Sequence, residues 1–233
     1  MLESANQFRP PGPPPLDSEV FREALEEVHR LGGERSAART RGQTTIAKFW
    51  ADFTYTSTPP GHWNEIARDI ARRRVLPERE ALRLFAVLNV ALADAGIAAF
   101  DAKYHFNYWR PVTALEASPY KAGGGRWASL LPTPPHPEYV SAHSTFSAAA
   151  AETLARFFET DAVEFSVTSF DVPGVVREYR SLRACAEEIG MSRLYGGIHY
   201  RFSNEDGLVL GRKVAEAVIG QFGIDRSAGL SSR

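Results

Sequence analysis

The sequence predicts an all-α fold, a helical bundle of roughly six to eight helices. Three observations point there. Apolar residues recur at helical spacing through most of the chain. The most apolar stretch, LRLFAVLNVALADAGIAAF at 82–100, has the length of a core helix rather than a strand. EFSVTSF is a weak strand candidate at most. With 233 residues, 44% of them hydrophobic, the chain can bury the core of one sizeable domain.

Residues 9–15, RPPGPPP, can form neither helix nor sheet. Residues 1–16 are therefore expected to be a proline-rich extension, lying on the surface or disordered. Asp17 or Ser18 caps a first helix running to about Leu31. Its apolar stripe is Val20, Phe21, Leu25 and Val28, and Gly32-Gly33 ends it. Residues 44–53 predict a short helix and 63–74 another. Pro77-Glu78 opens the long apolar helix, which runs to about Lys103. Residues 118–138, with Gly123-Gly124-Gly125 and several prolines, predict a loop. From Ser144 the segment STFSAAAAETLARFFE is strongly helical, and 176–189 and 205–222 complete the set. The expected catalytic domain is 17–225, with 226–233 as a tail.

Composition excludes several classes of function. The net charge is -1, from 27 basic and 28 acidic residues, so no basic field suggests nucleic acid. Cys185 is the single cysteine, which rules out intramolecular disulfides and thiolate metal clusters. Arg83, Asn89 and Asp94 interrupt the apolar run, whose uncharged part is too short for a bilayer. The start, MLESANQFRPPGPPP, lacks a basic region followed by an apolar run, so the expectation is a cytoplasmic chain with no membrane partner.

Three stretches carry chemistry. In KYHFNYWRP, Lys103 and Arg110 are seven residues apart, two helical turns, so they would point the same way from one helix. Lysine as a point charge and arginine as a fork suit a tetrahedral oxyanion. Pro111 stops or bends that helix just after Arg110. Taken alone, the pair would read as a solvated basic face, but Tyr104, Phe106, Tyr108 and Trp109 make the stretch look buried. In VSAHSTFSAAAAE, Ser141 lies where a helix begins, so unpaired N–H groups, including that of Ala142, could attract an anion. His143 beside it could exchange a proton, although Ser141 or Ser144 could equally be a plain N-cap. In SRLYGGIH, Arg193 and His199 are separated by a turn at Gly196-Gly197. His199 could attack or coordinate the central atom of a bound oxyanion, or could be a core histidine with both nitrogens satisfied.

The combination is more specific than its parts. Lys-x6-Arg-Pro, then Ser-x-His, then Ser-Arg-x5-His resembles the vanadium-dependent haloperoxidases and the related acid phosphatases of the type 2 phosphatidic acid phosphatase superfamily. The resemblance covers residues 80–220, and the connecting LLPTPPHPEY and GGIHYRFSNEDG look like the soluble bacterial haloperoxidase branch. It implies a bound vanadate. Lys103, Arg110 and Arg193 would hold its oxygens, Ser141 and the Ala142 N–H would add hydrogen bonds, and His199 would bind the metal. His143 would be the acid–base group. The substrates implied are hydrogen peroxide, a halide and a small organic acceptor.

This chain also departs from the family pattern. Ala142 replaces a usual glycine. Ser203 stands where many members carry an aspartate that orients the metal-binding histidine; Asn204, Glu205 or Asp206 are the possible substitutes. His136 and Phe100 fall at positions that the family uses for its halide and substrate pocket, and His136 leans towards bromide over chloride. Two alternatives stay open: a soluble acid phosphatase working through a phosphohistidine at His199, and an inactive fragment or non-catalytic helical domain. Larger relatives have two bundles, and a missing half would leave apolar faces that a homo-oligomer could cover. Of the remaining residues, His29 and His62 read as exposed bystanders, and Cys185 as a small core residue. One of Asp94 and Asp101 is expected to pair with a cation or to orient His143, and for Asp94 a helix–helix hydrogen bond is an equal expectation.

Overall fold

The computed structural model describes residues 1–53, 55–117 and 127–224. Eight helices and one hairpin are seen among them: α1 (Glu19–Gly32), α2 (Arg41–Phe49), α3 (Thr58–Arg73), α4 (Glu78–Phe106), α5 (Pro111–Ala117), α6 (Ala142–Phe157), β1 (Phe165–Thr168), β2 (Val176–Tyr179), α7 (Leu182–Tyr195) and α8 (Arg201–Phe222). The all-α expectation holds, with the antiparallel β1–β2 pair as a local addition.

Caps set the boundaries. Ser18 caps α1 by accepting from Phe21 N–H. Thr40 and Gln43 form a reciprocal capping box, so α2 starts at Arg41 and ends at Phe49 instead of spanning 44–53. Val20 is 58% exposed and does not belong to the buried stripe of Phe21, Leu25 and Val28. Pro111 opens α5 rather than merely ending α4, because a proline at the first helical position forgoes no hydrogen bond. The predicted helix at 176–189 is corrected: 176–179 pairs with β1, and α7 starts at Leu182 behind a Ser181 cap. The expected loop is irregular over 127–138, apart from an isolated bridge from Ser129 to Gly33. Its 118–126 portion, with Gly123-Gly124-Gly125, and the expected tail at 226–233 lie outside the described residues.

α6 is the central helix, packed on α4, α7 and α8. It meets α8 at very close range. A Cβ at Gly211 would lie 2.2 Å from the Thr145 carbonyl oxygen, and one at Gly207 2.7 Å from that of Ser141. These two glycines let α8 seat directly against the start of α6. The main core joins Trp50, Trp63, Leu84, Leu88, Leu154, Leu182 and Ile189. Truncating one of these, as in Leu154→Ala, is expected to cost about 2–5 kcal/mol, read from urea unfolding. The 78–117 stretch is long and apolar enough by composition to cross a bilayer, yet here α4 buries Leu84, Leu88, Ala91 and Ala95 inside the bundle.

The proline-rich segment is tied down along α4. Arg9 pairs with Asp101 at 2.7 Å, Tyr108 donates to the Pro14 carbonyl at 2.6 Å, and Leu2 N–H donates to Asp94 at 2.7 Å. Asp101 thus pairs with a cation, as one of the two expectations had it. Neither carboxylate orients His143.

Candidate active site

Lys103 lies in the last turn of α4 and is fully buried. Its ammonium donates to the carbonyls of Pro137 and Glu138 at 3.0 and 2.9 Å. Arg110 is not on the same helix, contrary to the spacing argument. α4 ends at Phe106, and Asn107 turns the chain through the left-handed region at φ 46°. The 107–110 connection then brings the guanidinium back. It donates to the His136 carbonyl (3.0 Å), to the Ile198 carbonyl (2.6 Å) and to two ring nitrogens, His199 Nε2 and His136 Nδ1, each at 3.1 Å. Two cations do converge, but a turn brings them together.

Ser141 is fully buried and caps α6, where its hydroxyl accepts from Ser144 N–H and Ser144 Oγ. Ala142 and His143 are the first residues of the helix, so their N–H groups have no intrahelical acceptor. Arg193 comes from the last turn of α7 and is fully buried. Its Nη1 donates to the Trp50 carbonyl at 2.7 Å, while Nε and Nη2 are buried without a partner. His143 Nε2 is also buried without a partner. His199 follows a turn at Gly197, whose φ is 76°. A Cβ at Gly197 would lie 2.3 Å from the Gly32 carbonyl oxygen, so α1 presses directly on this turn.

One residue that orients the site went unrecognised in the sequence. Glu138 is fully buried, and its Oε1 lies 2.8 Å from His199 Nδ1 and 2.9 Å from Tyr200 N. It takes the orienting part that Ser203 and its neighbours were expected to fill. Ser203 Oγ lies 3.5 Å from Nδ1, Asn204 accepts from Ser144, and Asp206 accepts from Tyr139. Glu138 stands 61 residues from His199, inside PTPPHPEYV, and the proline-flanked carboxylate at the start of the SAHS helix was the available signal.

The tautomer of His199 follows from its partners. Arg110 can only donate, so Nε2 presents a lone pair, and Nδ1 carries the proton given to Glu138. Burial, then Arg110, Lys103 and Arg193, push His199 well below the usual histidine range. Burial, then Arg193, do the same to His143. Burial also lowers Arg193 to about 9 and Arg110 to about 10, and holds Lys103 well below its normal value. His136 is lowered to about 4 by burial, Lys103 and Arg110, and is neutral near pH 7. Burial raises Glu138 to about 7 against the pull of Arg110 and Lys103. Phe100 and His136, on separate elements, meet with ring centroids 5.3 Å apart at the half-exposed edge of this cluster.

The cluster fits an oxyanion. Three buried cations face one buried carboxylate, with two Arg193 nitrogens and His143 Nε2 left without partners, and helix-start N–H groups stand beside them. No group of three or more His, Cys, Asp or Glu able to hold a metal cation is found among the described residues.

Comparison with known proteins bears on the family. Residues 83–223 match the family model described as the VCPO second helical-bundle domain. The chain is 27% identical over 243 aligned positions to the vanadium chloroperoxidase of Curvularia inaequalis, covering 78% of this chain and 40% of that protein. A solved bacterial vanadium-dependent iodoperoxidase is 35% identical, with a TM-score of 0.82, over 94% of this chain and 54% of that one. An apo-type bacterial vanadium-dependent chloroperoxidase, 19% identical with a TM-score of 0.78, shares the fold over 97% of this chain and 54% of its own. The chain thus spans about half the length, or less, of these relatives. The family-model match and this shared bundle together show that the chain belongs to the vanadium haloperoxidase family, through its second helical-bundle domain.

Proposed function

We propose that this protein holds vanadate and oxidises a halide with hydrogen peroxide, passing the halogen to a small organic acceptor. The observation that carries this reading is the set of buried open atoms, Arg193 Nε and Nη2 and His143 Nε2, beside the His199 Nε2 lone pair. Lys103, Arg110, Arg193, Ser141 and the Ala142 N–H would hold the vanadate oxygens, and His199 Nε2 would bind the vanadium. When bound, vanadate supplies a centre that activates peroxide for attack by halide.

The chain's own groups do the rest. Three fixed cations stabilise negative charge without reorganising as it builds. Glu138 keeps the His199 proton on Nδ1, so Nε2 stays a ligand. His143, neutral in its buried setting, takes a proton at a ring nitrogen from the incoming peroxide and returns it later. Phe100 and His136 line the approach. His136 Nδ1 lies 3.1 Å from Arg110 Nη2 and 3.2 Å from the Pro137 carbonyl oxygen, which holds the ring at the mouth of the site, and the resemblance leans this position towards bromide over chloride.

The test is purification, loading with orthovanadate, and two parallel assays. One follows bromination of an activated diketone with bromide and peroxide, repeated with chloride. The other follows phosphate release from an aryl phosphate. Bromination faster than chlorination, without phosphate release, is expected. Phosphate release alone would assign a phosphatase working through His199, and neither activity with vanadate bound would assign a non-catalytic domain.

A further inference from the structure

His62 on α3 was expected to be an exposed bystander, but it is 3% exposed and lies outside the anion cluster. Its Nδ1 lies 3.0 Å from Asp52 Oδ1, and its Nε2 lies 3.0 Å from the Thr168 carbonyl oxygen. A carbonyl oxygen only accepts, and so does an ionised carboxylate. A neutral imidazole has one N–H and would leave a lone pair facing one of them. An imidazolium satisfies both. Asp52 also lies close enough to Arg193 to interact with its charge.

The segment that His62 grips is the one that holds Arg193. Asp52 sits at φ 47°, a left-handed backbone that needs outside support. Its N–H donates to Asp171 at 3.0 Å, and Ser169 donates to the Phe49 carbonyl at 2.6 Å. Trp50 Nε1 donates to Glu188 at 3.0 Å, and Glu188 also accepts from Arg177 and Tyr179. Arg193 Nη1 then donates to the Trp50 carbonyl.

We propose that His62 is held as an imidazolium and is a positioning residue for Arg193, acting through Asp52 and the 49–52 segment. The inference rests on the reading of Arg193 as an anion holder. Charged groups facing His62 are Asp52 on that segment, Glu65 on its own helix and Asp171 beyond β1. Burial opposes the charge, but Asp52, Glu65 and the Thr168 carbonyl outweigh it and raise the histidine above its usual 6.5. Support from the imidazolium is therefore complete below pH 6.5 and is lost as pH rises through the raised value.

The experiment is nitrogen-detected NMR of the histidine rings and of the Arg193 Nε–H, with calorimetric titration of inorganic phosphate. In the wild-type chain, His62 should titrate above 6.5 with both ring nitrogens protonated below that pH, and the Arg193 signal should move as His62 titrates. In His62→Phe, phosphate should bind about tenfold more weakly, with that pH step gone. A His62 that titrates at or below 6.5, or an Arg193 signal indifferent to its titration, overturns the proposal even if the variant fails to fold. So does a folded His62→Phe with wild-type phosphate affinity. If the wild-type chain binds neither phosphate nor orthovanadate, the anion reading fails, while the Arg193 signal still reports on His62.

Discussion

His199 and His62 are both buried, and each has a carboxylate oxygen within 3.0 Å of Nδ1. They differ at the other nitrogen. His199 Nε2 meets an arginine, which only donates, whereas His62 Nε2 meets a carbonyl, which only accepts. The first ring is therefore neutral with a lone pair turned towards the cations. The second is cationic and spends both protons on the scaffold. Burial and a carboxylate alone do not set the role of a histidine; the partner of the second nitrogen decides it.

The largest effect is expected from His199→Ala. It removes the lone pair, and turnover should fall to background, at least about a thousandfold. A folded variant with retained turnover would remove His199 from the mechanism. His143→Ala should leave orthovanadate affinity near wild type while turnover drops about 10²–10⁴-fold, a split read by calorimetry against the bromination assay. Glu138→Gln should weaken anion binding about 10–100-fold, because the His199 tautomer is no longer fixed. It should also change stability with pH. Glu138 is raised to about 7, so its folded-state contribution is complete below its unfolded value and is lost as pH rises through about 7. Urea unfolding across that window should show the wild type losing stability relative to Glu138→Gln. On the acid side, His143 and His199 lie well below 6.5, so the ligand-free protein should lose stability as pH falls below 6.5. The smallest of these effects is a shift of about 5–10 °C in melting temperature when orthovanadate is added at a hundred times its Kd. No shift would sink the anion reading.

The bundle was legible because helical periodicity and capping residues are local. Ser18, Pro77 and the run into α6 place their helices within a few residues. The failures have local causes too. VREY at 176–179 has no helix-breaking residue, and only its pairing with 165–168 reveals a strand. The candidate site was legible as three charged stretches, since the residues that the fold brings together there are clustered in sequence. Arg110 was placed for a reason that does not hold, because the left-handed Asn107 cannot be read from spacing. Glu138 and His62 escaped notice because their roles depend on partners 61 and 106 residues away. A lone imidazole on an amphipathic helix carries no mark of what its second nitrogen will meet.

The carbonyl that steadies Arg193 belongs to Trp50, upstream of the 83–223 region matched to the family. The backbone of Gly32, further upstream, wedges against the turn before His199. The matched region is therefore not a self-sufficient cassette. Grafting 83–223 into another scaffold would transfer the charges but leave behind the framework that aims one of them.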